Sequence, residues 1–202
     1  MRRKTLFATL VLAILLTMRA TPASAEFFAD AYLGPAFTQD DRWAGAPTKF
    51  DDVFSFGGRL GYYFGFWPYL GVAVDVSHFQ PDGKFGGIGS GFSFDGKVTG
   101  VSFDAMLRFP VLTSSDFPIG RLQPYLTAGP GVYFSRFRVR PFGGSDSSTD
   151  PGLKLGAGLA WMFHRNVGLL GEYRYSRLRA EYQGFDTDID THRLQFGVTL
   201  RF

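Results

Sequence analysis

Strict alternation of apolar with small or polar residues, repeated over eight segments, constrains this chain more than any other feature. In residues 52–64 the even positions hold Phe54, Phe56, Gly58, Leu60, Tyr62 and Phe64, and the odd ones Ser55, Gly57, Arg59, Gly61 and Tyr63. Successive side chains of a strand point to opposite faces, so period two gives one apolar face and one small or polar face. The same split recurs at 29–37, 70–77, 101–109, 125–134, 153–163, 167–176 and 193–202. Helical periodicity is weak, and 26 glycines are scattered among the 202 residues, which disfavours long helices. The expectation is an all-β fold, with eight antiparallel strands of about ten residues each in an up-and-down meander.

Two closed arrangements fit this pattern. A soluble barrel turns its apolar face inward around a ligand, whereas a membrane barrel turns it outward to lipid. Glycine decides between them. Gly34, Gly57, Gly61, Gly71, Gly129, Gly131, Gly156, Gly158 and Gly197 all share the polar face. On a water-facing surface so much glycine only weakens strands, but in a narrow lumen it makes room for large neighbours. The opposite face is large, apolar and almost free of charge, as lipid requires. Ten-residue segments suit a tilted membrane strand. An even strand number closes a sheet with no exposed edge. The segments at 65–68 and 164–166 are tight turns, while 39–51, 80–97, 140–151 and 177–190 read as long external loops. The 110–121 link is longer than the other turns at its end and carries Pro110 and Pro118. Phe64, Phe66, Trp67, Tyr69, Phe109, Phe163 and Phe202 gather at the short-turn end, as an interfacial girdle does.

The N-terminus reads as an export signal: Arg2, Arg3 and Lys4, an apolar run to Met18, then Ala23-Ser24-Ala25. The expected division is a signal peptide at 1–25, cleaved after Ala25, and a barrel domain at 26–202. Cleavage removes four bases and no acid, so the formal charge falls from +3 to −1. No basic surplus remains to argue for a nucleic-acid partner. The absence of cysteine excludes a disulfide scaffold, a thiolate metal site and a catalytic thiol.

Three segments carry a family likeness: LQPYLTAGPGVY at 122–133, EYRYS at 172–176, and HRLQFGVTLRF at 192–202. Through them the chain resembles the eight-stranded outer-membrane barrels of the OmpA and opacity-protein type, over residues 26–202. The resemblance implies a monomer in the outer membrane of a Gram-negative cell, surrounded by lipid and lipopolysaccharide. It implies that the terminal Phe202 is the signal read by the barrel-assembly machinery. It also implies a non-enzymatic role in surface integrity or adhesion, with a surface or host ligand met by the external loops. No segment follows Phe202, so a peptidoglycan-binding domain is not part of the expectation.

The polar face places Asp30, Asp75, Asp104 and Glu172 in one lumen with Arg59, Arg108, Lys154, Arg174, Arg193 and Arg201. Such groups must pair or be hydrated. They form either an ion path or an ion-pair plug. An eight-stranded barrel has room for side chains rather than a wide channel, which favours the plug. Asp75 and Asp104 fall on neighbouring strands, with Arg59 and Arg108 as expected counter-ions. His78 and His192 project outward but stand three strand spacings apart, roughly 14 Å, too far for a catalytic pair. Ser77 faces the lumen, and His164 lies in a turn. Asp186, Asp188 and Asp190 resemble the start of a calcium loop but meet Thr191 where glycine is needed. The glycines at 86–91 lack a following helix and read as a loop. No catalytic residue, metal or cofactor is expected. A lipid A-modifying enzyme and a small pore are the alternatives. Arg136, Arg138, Arg140, Arg177 and Arg179 form a basic external rim suited either to lipopolysaccharide phosphates or to plain solvation.

Overall fold

A computed structural model describes residues 25–38, 41–43, 46–50, 53–80, 82–85, 93–140, 145–182 and 185–202. The expected signal segment before Ala25 and the glycines at 86–91 lie outside these residues. The strands are β1 (Glu26–Thr38), β2 (Asp41–Trp43), β3 (Ala46–Phe50), β4 (Val53–Phe64), β5 (Trp67–Phe79), β6 (Asp82–Phe85), β7 (Ser93–Arg108), β8 (Leu122–Arg140), β9 (Ser145–His164), β10 (Val167–Tyr182) and β11 (Phe185–Arg201). Eight of them close a ring in the order β7-β5-β4-β1-β11-β10-β9-β8, with β8 returning to β7. All ring pairings are antiparallel. Every one joins sequence neighbours in the ring except β1 with β11. That seam is zipped at its base by Phe202 N–H to the Phe27 carbonyl at 2.9 Å and Phe27 N–H to the Phe202 carbonyl at 3.2 Å. The fold is thus the closed eight-stranded meander that the alternation predicts. Among the described residues no helix is long and apolar enough to cross a membrane.

The polarity is inside-out. Leu60, Phe54 and Phe103 are about two-thirds exposed, while Arg59, Lys154 and Arg174 are 2% exposed or less. An uninterrupted apolar exterior is not stable against water, and lipid is the medium that matches it. Inside, the glycines face aromatic rings. A Cβ on Gly57 would meet the Tyr32 ring, one on Gly61 the Phe28 ring and one on Gly158 the Tyr125 ring. The small residues therefore make the space that each inward aromatic fills.

One expectation needs correction. The segments 140–151 and 177–190 are not mainly loops. β9 starts at Ser145, β10 continues to Tyr182, and β11 resumes at Phe185, with Tyr182 opposite Phe185. About 9–11 residues cross a membrane, and β9 has 20, so half of it stands above the bilayer. Polarity marks where water begins and not where backbone pairing ends. Likewise 39–51 contains β2 and β3, and 80–97 contains β6 and the start of β7; β3 pairs with β6, and β6 with β7. Among the described residues the external end is therefore largely a paired extension of the barrel wall.

A closed barrel of this kind resists detergent until heated. Unboiled protein is expected to run faster on a detergent gel than boiled protein. A single heat-independent band in the membrane fraction would contradict the closure.

Candidate functional site

Six strands aim charged side chains at the middle of the lumen. Arg59 of β4 holds Asp30 of β1 at 2.7 Å and reaches Glu172 of β10 at 2.9 Å. Glu172 also accepts from Arg174 Nε at 2.8 Å. Arg174 continues to Asp75 of β5 at 3.1 Å. Asp75 meets Lys154 of β9 at 3.2 Å, and Lys154 ends the chain on Asp104 of β7. The result is one continuous chain of alternating charge that ties β1, β4 and β5 to β9 and β10 across the barrel. Two tyrosines brace it. Tyr125 donates to Glu172 at 2.8 Å, and Tyr32 donates to Asp75 at 2.8 Å while accepting from Arg174 at 2.9 Å.

Desolvating these ions is expensive, and the attraction between them offsets that cost because the five inner charges have two partners each, while Asp30 and Asp104 at the ends have one. Apolar clusters flank the network on both sides. Phe28, Tyr63, Ala73, Met106, Tyr125 and Ala160 pack on the short-turn side, and Phe79, Val98, Tyr133 and Leu178 on the external side. Arg193 lies between the network and the external cluster. It donates to Ser77 Oγ at 3.0 Å and to Ser176 Oγ, with no carboxylate at ion-pair distance among the described residues.

The expected counter-ions of the two aspartates are corrected. Arg59 does not serve Asp75, although their backbones pair, because its guanidinium turns to Asp30 and Glu172. Arg108 does not reach Asp104. It sits near the short-turn mouth, on Glu26 at 2.9 Å and the Pro68 carbonyl at 2.7 Å, with its guanidinium 3.7 Å from the Tyr63 ring centre. Arg201 joins it there, 3.5 Å from Glu26. Neighbouring strands suggest neighbouring partners, but in a narrow lumen a long side chain reaches the opposite wall as easily. Sequence reading missed Glu26, Tyr32 and Tyr125. The two tyrosines carried a signal, being large residues on an otherwise glycine-rich face.

On the outside, Arg136 and Arg177 are exposed, and Arg177 lies 3.9 Å from Asp190. The side chains of Arg138, Arg140, Arg179, Asp186 and Asp188 lie outside the described set. β9 runs between β8 and β10, so the two strands that carry the rim arginines stand about 10 Å apart. His78 and His192 are separated by β4 and β1. His78 Nδ1 is 2.9 Å from Thr99 Oγ1, with Gln80 as its other neighbour. His192 sits against Tyr173 and Tyr175, 2.6 Å from the Tyr173 hydroxyl. No group of three or more His, Cys, Asp and Glu suited to a metal ion occurs among the described residues.

A closed ring with an apolar exterior and an ion-paired interior defines the class: a transmembrane β-barrel of an outer membrane. The chain belongs to the outer membrane protein beta-barrel domain family, whose model matches residues 8–202. Among solved structures it is similar to Neisserial surface protein A, at 22% identity over 90% of this chain and 100% of that one, TM-score 0.60. It is also similar to Ail, the attachment invasion locus protein of Yersinia pestis, at 21% identity over 89% and 99%, TM-score 0.56. A major outer membrane protein from Thermus thermophilus matches at 16% identity over 89% and 100%, TM-score 0.60. At these identities the likeness is one of fold. Comparison with curated proteins gives no match. The protein is an outer-membrane barrel whose outward face contacts lipid.

Proposed function

We propose that this protein is a non-enzymatic surface barrel, acting in envelope integrity or adhesion through its external end. The observation that supports this reading is the ion-paired lumen: a continuous chain of buried charges spans the described interior between two apolar clusters. A scaffold closed in this way keeps its variable chemistry in the external hairpins, where binding residues concentrate. The similarity to an attachment invasion locus protein agrees with adhesion as the form of that chemistry. In this reading residues 1–25 direct export and are cleaved after Ala25, Phe202 is the mark recognised by the assembly machinery, and the barrel works as a monomer.

The test compares the intact protein with variants shortened within 39–51 or 80–97. Loss of surface binding with retention of the heat-dependent gel shift is the expected result. Discrete conductance steps in planar bilayers, or a mass change in lipid A on expression, overturn it in favour of a pore or an enzyme.

The rim arginines extend the reading to lipopolysaccharide, because guanidinium binds phosphate in a bidentate fashion. Replacing Arg136, Arg138, Arg140, Arg177 and Arg179 with glutamine is expected to reduce co-purified lipopolysaccharide severalfold, as measured by phosphate assay of the purified barrel. Undiminished retention removes this contact.

A further inference from the structure

The link between β7 and β8 carries, four residues after β7, a backbone conformation that places an aliphatic side chain outward. Leu112 has φ of +56°, a left-handed value that a leucine rarely adopts. Its side chain is nevertheless 67% exposed, beside Val111 at 44%. The segment is not loose. Val111 N–H bonds the Leu122 carbonyl at 2.8 Å, Arg121 N–H bonds the Leu112 carbonyl at 3.1 Å, and Met162 N–H bonds the Arg121 carbonyl at 2.8 Å. Gln123, buried in the lumen, donates to the Gly120 carbonyl at 3.0 Å. The link thus lies as a strap over the barrel mouth, with a cleft of about 230 Å³ beneath it, partly lined by Gly120, Gln123 and Arg201. A strap pinned this firmly still presents two aliphatic side chains outward, one of them on unfavourable backbone.

We propose that the outer edge of this strap is a lipid-docking surface, seated in the headgroup region of the periplasmic leaflet, with Leu112 and Val111 inserted among acyl chains and Arg121 on a phospholipid phosphate. Depth is the first argument. Val111 bridges to Leu122, and Leu122 pairs with Trp161, so Val111 stands level with an outward-facing tryptophan. Trp161 and Phe163 are each about half exposed on the face that meets lipid, and aromatic residues of this kind mark the membrane–water boundary. The strap's apolar edge therefore continues the lipid-facing surface. Arg121 gives the second argument. Its guanidinium lies 5.9 Å from the Trp161 ring centre and 5.7 Å from that of Phe117, held by the aromatics and without a carboxylate partner among the described residues. A cation at headgroup depth with free donors suits a phosphate. Left-handed backbone at Leu112 then has a use: it turns this side chain outward, toward the same lipid as Val111.

The chain contains no cysteine, so a single introduced thiol is a unique label site. Bimane attached to Leu112→Cys, in vesicles of phosphatidylethanolamine and phosphatidylglycerol, is expected to be quenched severalfold more by lipids brominated near the carbonyl than the same label on Ser115→Cys. Aqueous iodide is expected to give the reverse order. The unmodified protein supplies an independent reading: nitroxide lipids labelled at carbonyl depth should broaden the Val111 and Leu112 methyl signals and spare Ile119. Equal iodide access at 112 and 115, or methyl signals at Val111 and Leu112 no broader than at Ile119, overturns the docking.

Discussion

Glu172→Gln is expected to destabilise the barrel by about 3–5 kcal/mol, because it removes one charge from a buried network while leaving the partners in place. Glutamine keeps the shape of the side chain, so packing is little changed and the loss reads out charge. The Glu172 carboxylate is the junction of the network: Arg59, Arg174 and Tyr125 all bond it between 2.8 and 2.9 Å. Without it Arg59 keeps only Asp30, and Arg174 keeps only Asp75, as charged partners. Urea unfolding in lipid vesicles, followed by the gel shift, gives the number. Combining Glu172→Gln with Arg174→Gln should cost less than the sum of the two single changes, since the residues share one network. A shift below about 1 kcal/mol for the single variant would show that the lumen is wet enough to solvate the ions.

Gly197→Val is expected to prevent the ring from closing, or to weaken the closed form by about 3 kcal/mol. A side chain at this position would run into the Ala31 carbonyl and the Tyr32 Cα across the seam. Both are backbone, so no rotamer change relieves the clash, and Gly197 pairs directly with Tyr32 on β1. The measured quantity is the fraction of unboiled protein in the fast-migrating band. Gly171→Ala is the matched control. Its nearest atoms would be those of the Phe196 ring at 3.8 Å, an ordinary contact, and its effect should stay within about 0.5 kcal/mol. Equal behaviour of the two variants would remove the close strand approach as the reason for glycine at 197.

The architecture was legible because period two and lipid leave few solutions. Phe54, Phe56 and Leu60 against Ser55, Arg59 and Tyr63 assign the faces of β4 without any tertiary information, and the burial follows that assignment. Strand length was less legible. Ser145, Thr149, Arg177 and Asp190 look like loop residues to a reading that equates polarity with irregular backbone, yet they stand in ladders above the membrane. The members of the lumen network could be named because each sits at an inward position. Their pairing could not, because Glu172 and Arg59 lie on strands far apart in the ring, and only the barrel's diameter brings them to 2.9 Å. Glu26 escaped notice for a simpler reason: it precedes the first alternating residues, and its partners Arg108 and Arg201 lie at the ends of other strands.

The seam between β1 and β11 also governs how fast the barrel appears. Each other ring pairing closes a loop between consecutive segments, so those hairpins can nucleate locally. The seam joins the two ends of the described chain, and its loop-closure entropy falls due only when all eight strands are in place. Until then the sheet is an open ribbon with two unsatisfied edges, which lipid does not solvate. Closure is therefore expected to be the slow step, and the same barrier is expected to protect the closed barrel against reopening.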